Sequence, residues 1–382
     1  GGIPAANLTG TIADARLSSP PIPNKVGGTN FTNSLLVGTD STGTLSSAEK
    51  NTGVGIGVLG ALTTGDNNVA VGYNALDLNT TGAQNTALGR GALASNTTAS
   101  SNTAVGYNSS HCNTTGTNNT SVGCVSLNKN TTGDNNTAIG RSALACNTTA
   151  DNNTALGYLA LLDNTTGANN TALGSLTLCS NTTGTENTAL GKDSLTANTT
   201  GAQNTAVGHS ALKTNTTCGN LTAVGYGALC ANTTGTNETA SNNTAVGLRA
   251  GLAITTGYQN TALGQNALDS TTTANHNTAI GAQTLAANTT GYANTAVGYN
   301  ALCTHTTGNS NTAVGDHAMK LTTTGTFNVA VGDNALCANT TASSNVAIGR
   351  DTMFANTTGA NNVAVGALAL DANTTGTRNT AV

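Results

Sequence analysis

The chain has no tryptophan, and across its 382 residues only 3% are aromatic and 7% charged. Each shortage excludes something. Twelve Lys and Arg against sixteen Asp and Glu, a net charge of -4, cannot build the basic face that grips nucleic acid or an anionic membrane surface. No apolar run approaches the ~18 residues of a spanning helix, so no membrane insertion is expected. The five histidines, His111, His209, His276, His305 and His317, do not cluster, and the pair Asp316-His317 lacks a nucleophile at an arguable position. The acidic residues form no D-x-D-x-D calcium run, and the eight cysteines contain no C-x-x-C pair of the zinc type. We expect no metal, no cofactor and no enzyme. The opening "GGIPAANLTG" carries neither an initiator Met nor a signal peptide, which reads as a processed or partial chain, and the close on "RNTAV" falls in mid-repeat, so further coils or a cap are expected to follow.

What is present is repetition. The Val, Ile or Leu before the glycine of "AVG" recurs every 17 residues from Val37 through Val54, Val71 and Leu88 to Val224, and again from Val246 to Val382. One gap of 22 residues interrupts the rhythm, placing a five-residue insertion near 237–242 that belongs on a loop. A 17-residue period is too short for a helical hairpin and suits one coil of a β-solenoid. The fixed Val, Ile and Leu also argue against disorder despite the low charge. The expected architecture is all-β: a β-solenoid or β-roll of about twenty 17-residue coils over 36–382, preceded by a connector segment at 1–35. Each coil is read as two short strands and two turns. The first strand, "NTAVG", is expected to point the anchor and the Thr or Val two before it inward, with the intervening alanine outward. The second centres on "AL", at Leu76, Leu93, Leu144, Leu212, Leu268, Leu302 and Leu336.

Three kinds of residue recur with these strands. The glycine after the anchor, as at Gly72, Gly89, Gly106, Gly208, Gly298 and Gly332, marks a turn needing a positive φ or a close backbone approach. A second glycine, in "NTTG", gives way to Ala99, Ala150, Ala274, Ala342 and Cys218, so smallness is what that place requires. The asparagine of "NTT", at Asn79, Asn96, Asn113, Asn130, Asn147 and Asn164, is a glycosylation sequon, but stacked amides between coils would explain it equally. Leu62, Ile254, Thr271, His305 and Thr322 at the same offset favour a partly inward corner. Cys112 with Cys124, and Cys218 with Cys230, share a 12-residue separation and are candidate disulfides; the alternative is that the cysteines fill space as small apolar residues. "GIGVLG", Gly55 to Gly60, matches a dinucleotide fingerprint but lacks its strand-turn-helix setting, Gly55 being the recurrent glycine of one coil.

At "NVAVG" (328–332), "NVAIG" (345–349) and "NNVAVG" (361–366) the repeat resembles the head repeats of trimeric autotransporter adhesins. That resemblance implies a β-roll packed side by side in a parallel homotrimer. The stretch "IPAANLTGTIADARLSSP", Ile3 to Pro20, is similar to segments of bacteriophage tail-fibre proteins that precede the shaft. Both resemblances imply an extracellular, cell-surface or virion fibre that presents an adhesive surface to a cell-surface or glycan receptor. Self-association is expected through the row of alanines at Ala87, Ala104, Ala155, Ala206, Ala262, Ala296 and Ala313. Two alternatives remain: an ice- or surface-binding solenoid using the "TT" rows, and a polysaccharide-degrading, tail-spike-like enzyme using a carboxylate pair.

Overall fold

The computed structural model describes residues 24–26, 30–38, 42–233 and 241–382. Ile3 to Pro20 and most of the insertion, 234–240, lie outside the described residues. The chain is a parallel β-solenoid: strand β2 (Leu35–Val37) is followed by β3 (Thr52–Val54) and so on, one strand per coil, to β22 (Thr380–Ala381). Neighbouring strands pair in parallel with an offset of one period, for example Thr86↔Thr103, Ala87↔Ala104 and Leu88↔Val105. Across the 22-residue gap the pairing Thr222↔Thr244 keeps the same register. Ahead of the stack, β1 (Asn24–Val26) runs antiparallel to β2, and the fully buried Phe31 packs with Leu36 and Leu59 over the first coils. A free strand edge invites foreign pairing, and this hairpin covers it.

Among the described residues each coil has one strand, and the expected second strand at "AL" is absent. Its leucine adopts the left-handed conformation, with φ 51° at Leu76, 49° at Leu93 and 53° at Leu144. An L-residue there costs roughly 1–2 kcal/mol. Complete burial of the side chain, about 1.5–3 kcal/mol, offsets it. The bend also aims hydrogen bonds both ways: Leu76 N–H donates to Ala92 O at 3.1 Å in the next coil, and Asn79 N–H closes back on Leu76 O at 3.2 Å.

The sheet faces the other way from the sequence-based expectation. The central alanines, Ala87, Ala104, Ala155, Ala206, Ala262, Ala296 and Ala313, are buried, and the anchor Val, Leu or Ile and the Thr or Val two before it lie on the outer face. The reason is width. A 17-residue coil leaves room inside for little more than the leucine of the opposite wall, so the strand offers it little beyond a Cβ; where β2 sends the whole side chain of Leu36 inward, the paired residue is Gly53. Gly53 shows the limit: a Cβ there would come 2.5 Å from both Leu36 Cδ2 and Val58 Cγ1.

The remaining core is polar. At the "NTT" offset Asn96 Nδ2 donates to Asn79 Oδ1 at 2.9 Å, and the bond repeats coil after coil. A second asparagine row, three residues before the anchor, forms another ladder: Asn85 Nδ2 donates to Asn68 Oδ1 at 3.1 Å, and the same oxygen accepts the Asn85 backbone N–H at 3.0 Å. Both ladders meet on one carbonyl, since Asn85 and Asn96 each donate to Ala99 O at 2.9 Å. That junction explains the small-residue row of Gly82, Ala99 and Cys218, whose members are all buried.

Candidate interaction surface

Three parallel rows are presented outward. The first is the outer face of the sheet, where Leu88, Leu156, Leu173 and Ile348 are 37–40% exposed. Between them run the Thr or Val residues two positions earlier, among them the exposed Val69 and Val363. Repeated at the ~4.8 Å spacing of adjacent strands, this is one long, flat, largely apolar band. Contiguous apolar surface of more than a few hundred Å2 marks an interaction site on a soluble protein.

The second row belongs to "NTT". Its two threonines divide the work: Thr80 Oγ1 donates to Thr97 O at 3.0 Å and is half-buried, whereas Thr81, Thr98, Thr115 and their counterparts in every described coil are exposed. The third row follows the invariant glycine and was missed in the sequence reading. It holds Tyr73, Tyr107, Tyr158, Tyr226 and Tyr299 together with Arg90, Arg141, Lys192, His209 and Arg350. The Arg90 guanidinium carbon lies 5.8 Å from the Tyr73 ring and 5.6 Å from the Tyr107 ring, and Arg141 lies 5.9 Å from the Tyr158 ring. His209 stacks on Tyr226 at 5.4 Å. The signal was available, because five of the seven tyrosines share one offset. A groove of about 260 Å3 opens along this ridge between Tyr73, Asn74, Arg90, Tyr107 and His111. Stacked rings with a cation between them offer an acidic or ring-bearing ligand both a face and a charge.

The singled-out residues sort as follows. Gly72, Gly89, Gly106, Gly208, Gly298 and Gly332 all have φ of 132–137°. At Gly208 a Cβ would also stand 2.5 Å from Gly225 O, because the glycines stack directly on one another. Asn79, Asn96, Asn113, Asn130, Asn147 and Asn164 are fully buried with Nδ2 donating inside the coil, which removes them as glycan acceptors in the folded chain. Cys112, Cys124, Cys218 and Cys230 are free thiols. A 12-residue separation is not the period, so each pair falls on different corners of the coil: Cys218 is buried among the small residues, and Cys230 follows "AL". "GIGVLG" runs into turns, with no helix N-terminus to hold a pyrophosphate.

The histidines are scattered. His276 meets Tyr258 edge-on at 5.2 Å, His317 meets Tyr299 likewise at 5.5 Å, and His111 Nδ1 lies 3.0 Å from Gly91 O. His305 alone is fully buried, in the first asparagine row, with Nε2–H donating to Gly308 O at 2.7 Å and Nδ1 unpartnered. Burial holds its pKa below the ordinary imidazole value, the Gly308 hydrogen bond opposing the shift. Among the described residues no group of three His, Cys, Asp or Glu is placed to hold a metal ion, and no helix is long and apolar enough to cross a membrane. Neither a protein-family model nor a curated protein matches this chain.

Proposed function

We propose that this chain is a shaft segment of an extracellular or virion fibre, assembled from parallel copies that bury the outer face of the sheet against one another. The observation that carries the reading is the row of Val, Leu and Ile on the outer face, exposed at Val54, Leu88, Leu156, Leu190 and Val365 and half-buried at Val105, Ile139 and Val207 between them. The alanine row assigned this task from sequence is buried, and the role passes to the row beside it. Three copies around an axis, as the adhesin-head resemblance implies, cover the three bands mutually. Twenty-one parallel strands stacked at the usual strand spacing give a rod of about 100 Å. Such a rod supplies reach, and the Tyr–Arg ridge is the surface this reading assigns to a cell-surface or glycan receptor.

Sedimentation of the purified chain tests the assembly. A trimer is expected, together with its loss when Leu156, Leu173 and Leu190 are all changed to Lys; a wild-type monomer at micromolar concentration rejects it. The second reading, an ice- or surface-binding solenoid, is favoured by the exposed threonine row at Thr81, Thr98 and Thr115. Thermal hysteresis separates the two, because the fibre reading expects none. Nothing in the arrangement of the carboxylates favours the polysaccharide-degrading alternative: Asp269 and Asp351 lie beside Arg249 and Arg350.

A further inference from the structure

Lysine and cysteine alternate along two rows of the solenoid surface. Cys112, Lys129 and Cys146 occupy one offset in three successive coils, and Cys303, Lys320 and Cys337 occupy the neighbouring offset in three others. Lys213 and Cys230 repeat the pattern at that second offset and line a common groove with Tyr226 and Arg249. Of the five lysines beyond residue 42, three are therefore stacked against cysteine. The geometry is tightest at Lys129, whose exposed Nζ lies 3.7 Å from Cys146 Sγ.

The coil spacing decides what an oxidised sulfur meets. Cys112 and Cys146 are two coils apart, about 9.6 Å at ~4.8 Å per strand, whereas a disulfide requires Cα atoms within about 7 Å. Cys303 and Cys337 are separated in the same way. Neither pair can close a disulfide without unstacking, and the nucleophile in the coil between them is a lysine amine. We propose that Lys129 and Cys146 are an oxidative cross-linking site, joining adjacent coils by a sulfur–nitrogen bond when a peroxide is the oxidant.

The chemistry balances in two steps. Cys146 Sγ attacks one peroxide oxygen, the O–O bond breaks, and the thiol proton leaves with the second oxygen as water, giving a sulfenic acid. A sulfenic acid condenses with a nearby nitrogen to a sulfenamide. Neutral Nζ of Lys129 attacks Sγ, the S–O bond breaks, and the departing hydroxide takes a proton from nitrogen to leave as a second water. The protein loses two hydrogens and one peroxide becomes two waters. A thiol reductant reverses the bond. At the other pairs burial pushes the Cys230 and Cys303 thiols up, with Lys213 and Lys320 opposing it.

The test is peptide mapping by mass spectrometry after hydrogen peroxide treatment, with dimedone added to trap sulfenic acid. Cys124 is the internal control, being exposed with Tyr107 and Arg141 rather than lysine at its offset in the adjacent coils. Treatment is carried on until Cys124 is fully labelled by dimedone. The expected product in the wild type is a Lys129–Cys146 linked peptide pair lighter by two hydrogens and separated by dithiothreitol. In Lys129→Arg, which keeps the charge and the exposed position, the link disappears and dimedone labelling of Cys146 rises severalfold. Equal labelling of Cys146 in both proteins, an unreacted Cys146, or Cys146 recovered in a disulfide would each overturn the proposal.

Discussion

From Asn79 to Asn215 the first asparagine ladder is unbroken, each Nδ2 reaching the Oδ1 of the coil before it, whereas from Ile254 to Thr322 four of five ladder positions hold something else. The replacements are of three kinds. Thr271 and Thr322 keep a link, Thr271 Oγ1 and Thr322 Oγ1 accepting from Asn288 and Asn339 at 3.3 and 3.2 Å. Ile254 fills the space without a polar group and is buried. His305 breaks the chain, leaving Asn288 Oδ1 and its own Nδ1 buried without partners. The interrupted stretch nevertheless stacks in the same register, because the second ladder runs through it: Asn277, Asn294 and Asn311 are linked at 3.2 and 3.0 Å. At Leu221 the second ladder keeps only a backbone link, Leu221 N–H donating to Asn204 Oδ1 at 3.0 Å, and in the same interval the first ladder fails as well, leaving Asn215 Oδ1 buried without a partner. The second row thus carries the stack past His305, whereas beside Leu221 both rows have a gap.

The comparison can be broken most severely at the glycine row. Gly208→Val forces a β-branched residue into positive φ and against Gly225 O, and should cost on the order of 3 kcal/mol or more. Because repeat stacks melt locally, the measurement is amide hydrogen exchange in the coils around residue 208. Protection unchanged there would mean the row is not the constraint described.

Next in size is a pair of substitutions in the second ladder. Asn136→Leu, beside an intact first ladder, should cost about 1–2 kcal/mol, and Asn294→Leu, beside His305, about 1 kcal/mol more, since a buried partner left unmade costs its desolvation. Equal losses would show that the ladders do not support each other.

Smaller, and opposite in sign, is His305→Asn, which restores the missing link and should stabilise by about 1 kcal/mol. It should also remove a pH dependence. The folded imidazole pKa is depressed below its ordinary 6.5, so its contribution is fully present above that value and is lost as pH falls from there toward the folded pKa. Melts at pH 7.5 and 5.5 check this; a wild type equally stable at both contradicts it. The smallest effect is Gly167→Ala, under about 1 kcal/mol. A Cβ on Gly167 would crowd Gly184 O and Asn164 Oδ1, but Gly167 has no positive φ, and Ala99 and Ala150 show that the coil yields to a methyl group at that offset.

The period, the parallel register and the special glycines were legible because they are statements about recurrence. Direction was not. Alternation along "TAV" separates two faces without naming the inner one, and the exchange of Thr for Val at Val69 and Val329 suits an exposed sheet face as well as a buried one. The second asparagine row was hidden in the "N" of "NTAVG", read as the start of a strand. The left-handed leucines carry no sequence mark at all, since leucine is a poor choice for that conformation and only the stacking enforces it. The tyrosine ridge was overlooked because sparse aromatics were weighed by number instead of by offset.

The ladder bonds all point the same way. In both asparagine rows the later coil donates and the earlier accepts. Other bonds run against them: Thr86 N–H donates forward to Asn102 O while Gly89 N–H donates back to Val71 O, and Thr80 Oγ1 donates forward to Thr97 O. The side-chain amides add into a dipole along the rod, positive toward the early coils and negative toward the late ones, as peptide units do in a helix. Bonds aligned in a chain polarise one another. The two rows thus distinguish one end of the shaft from the other: along each of them the amide hydrogens face the early coils and the amide oxygens the late ones.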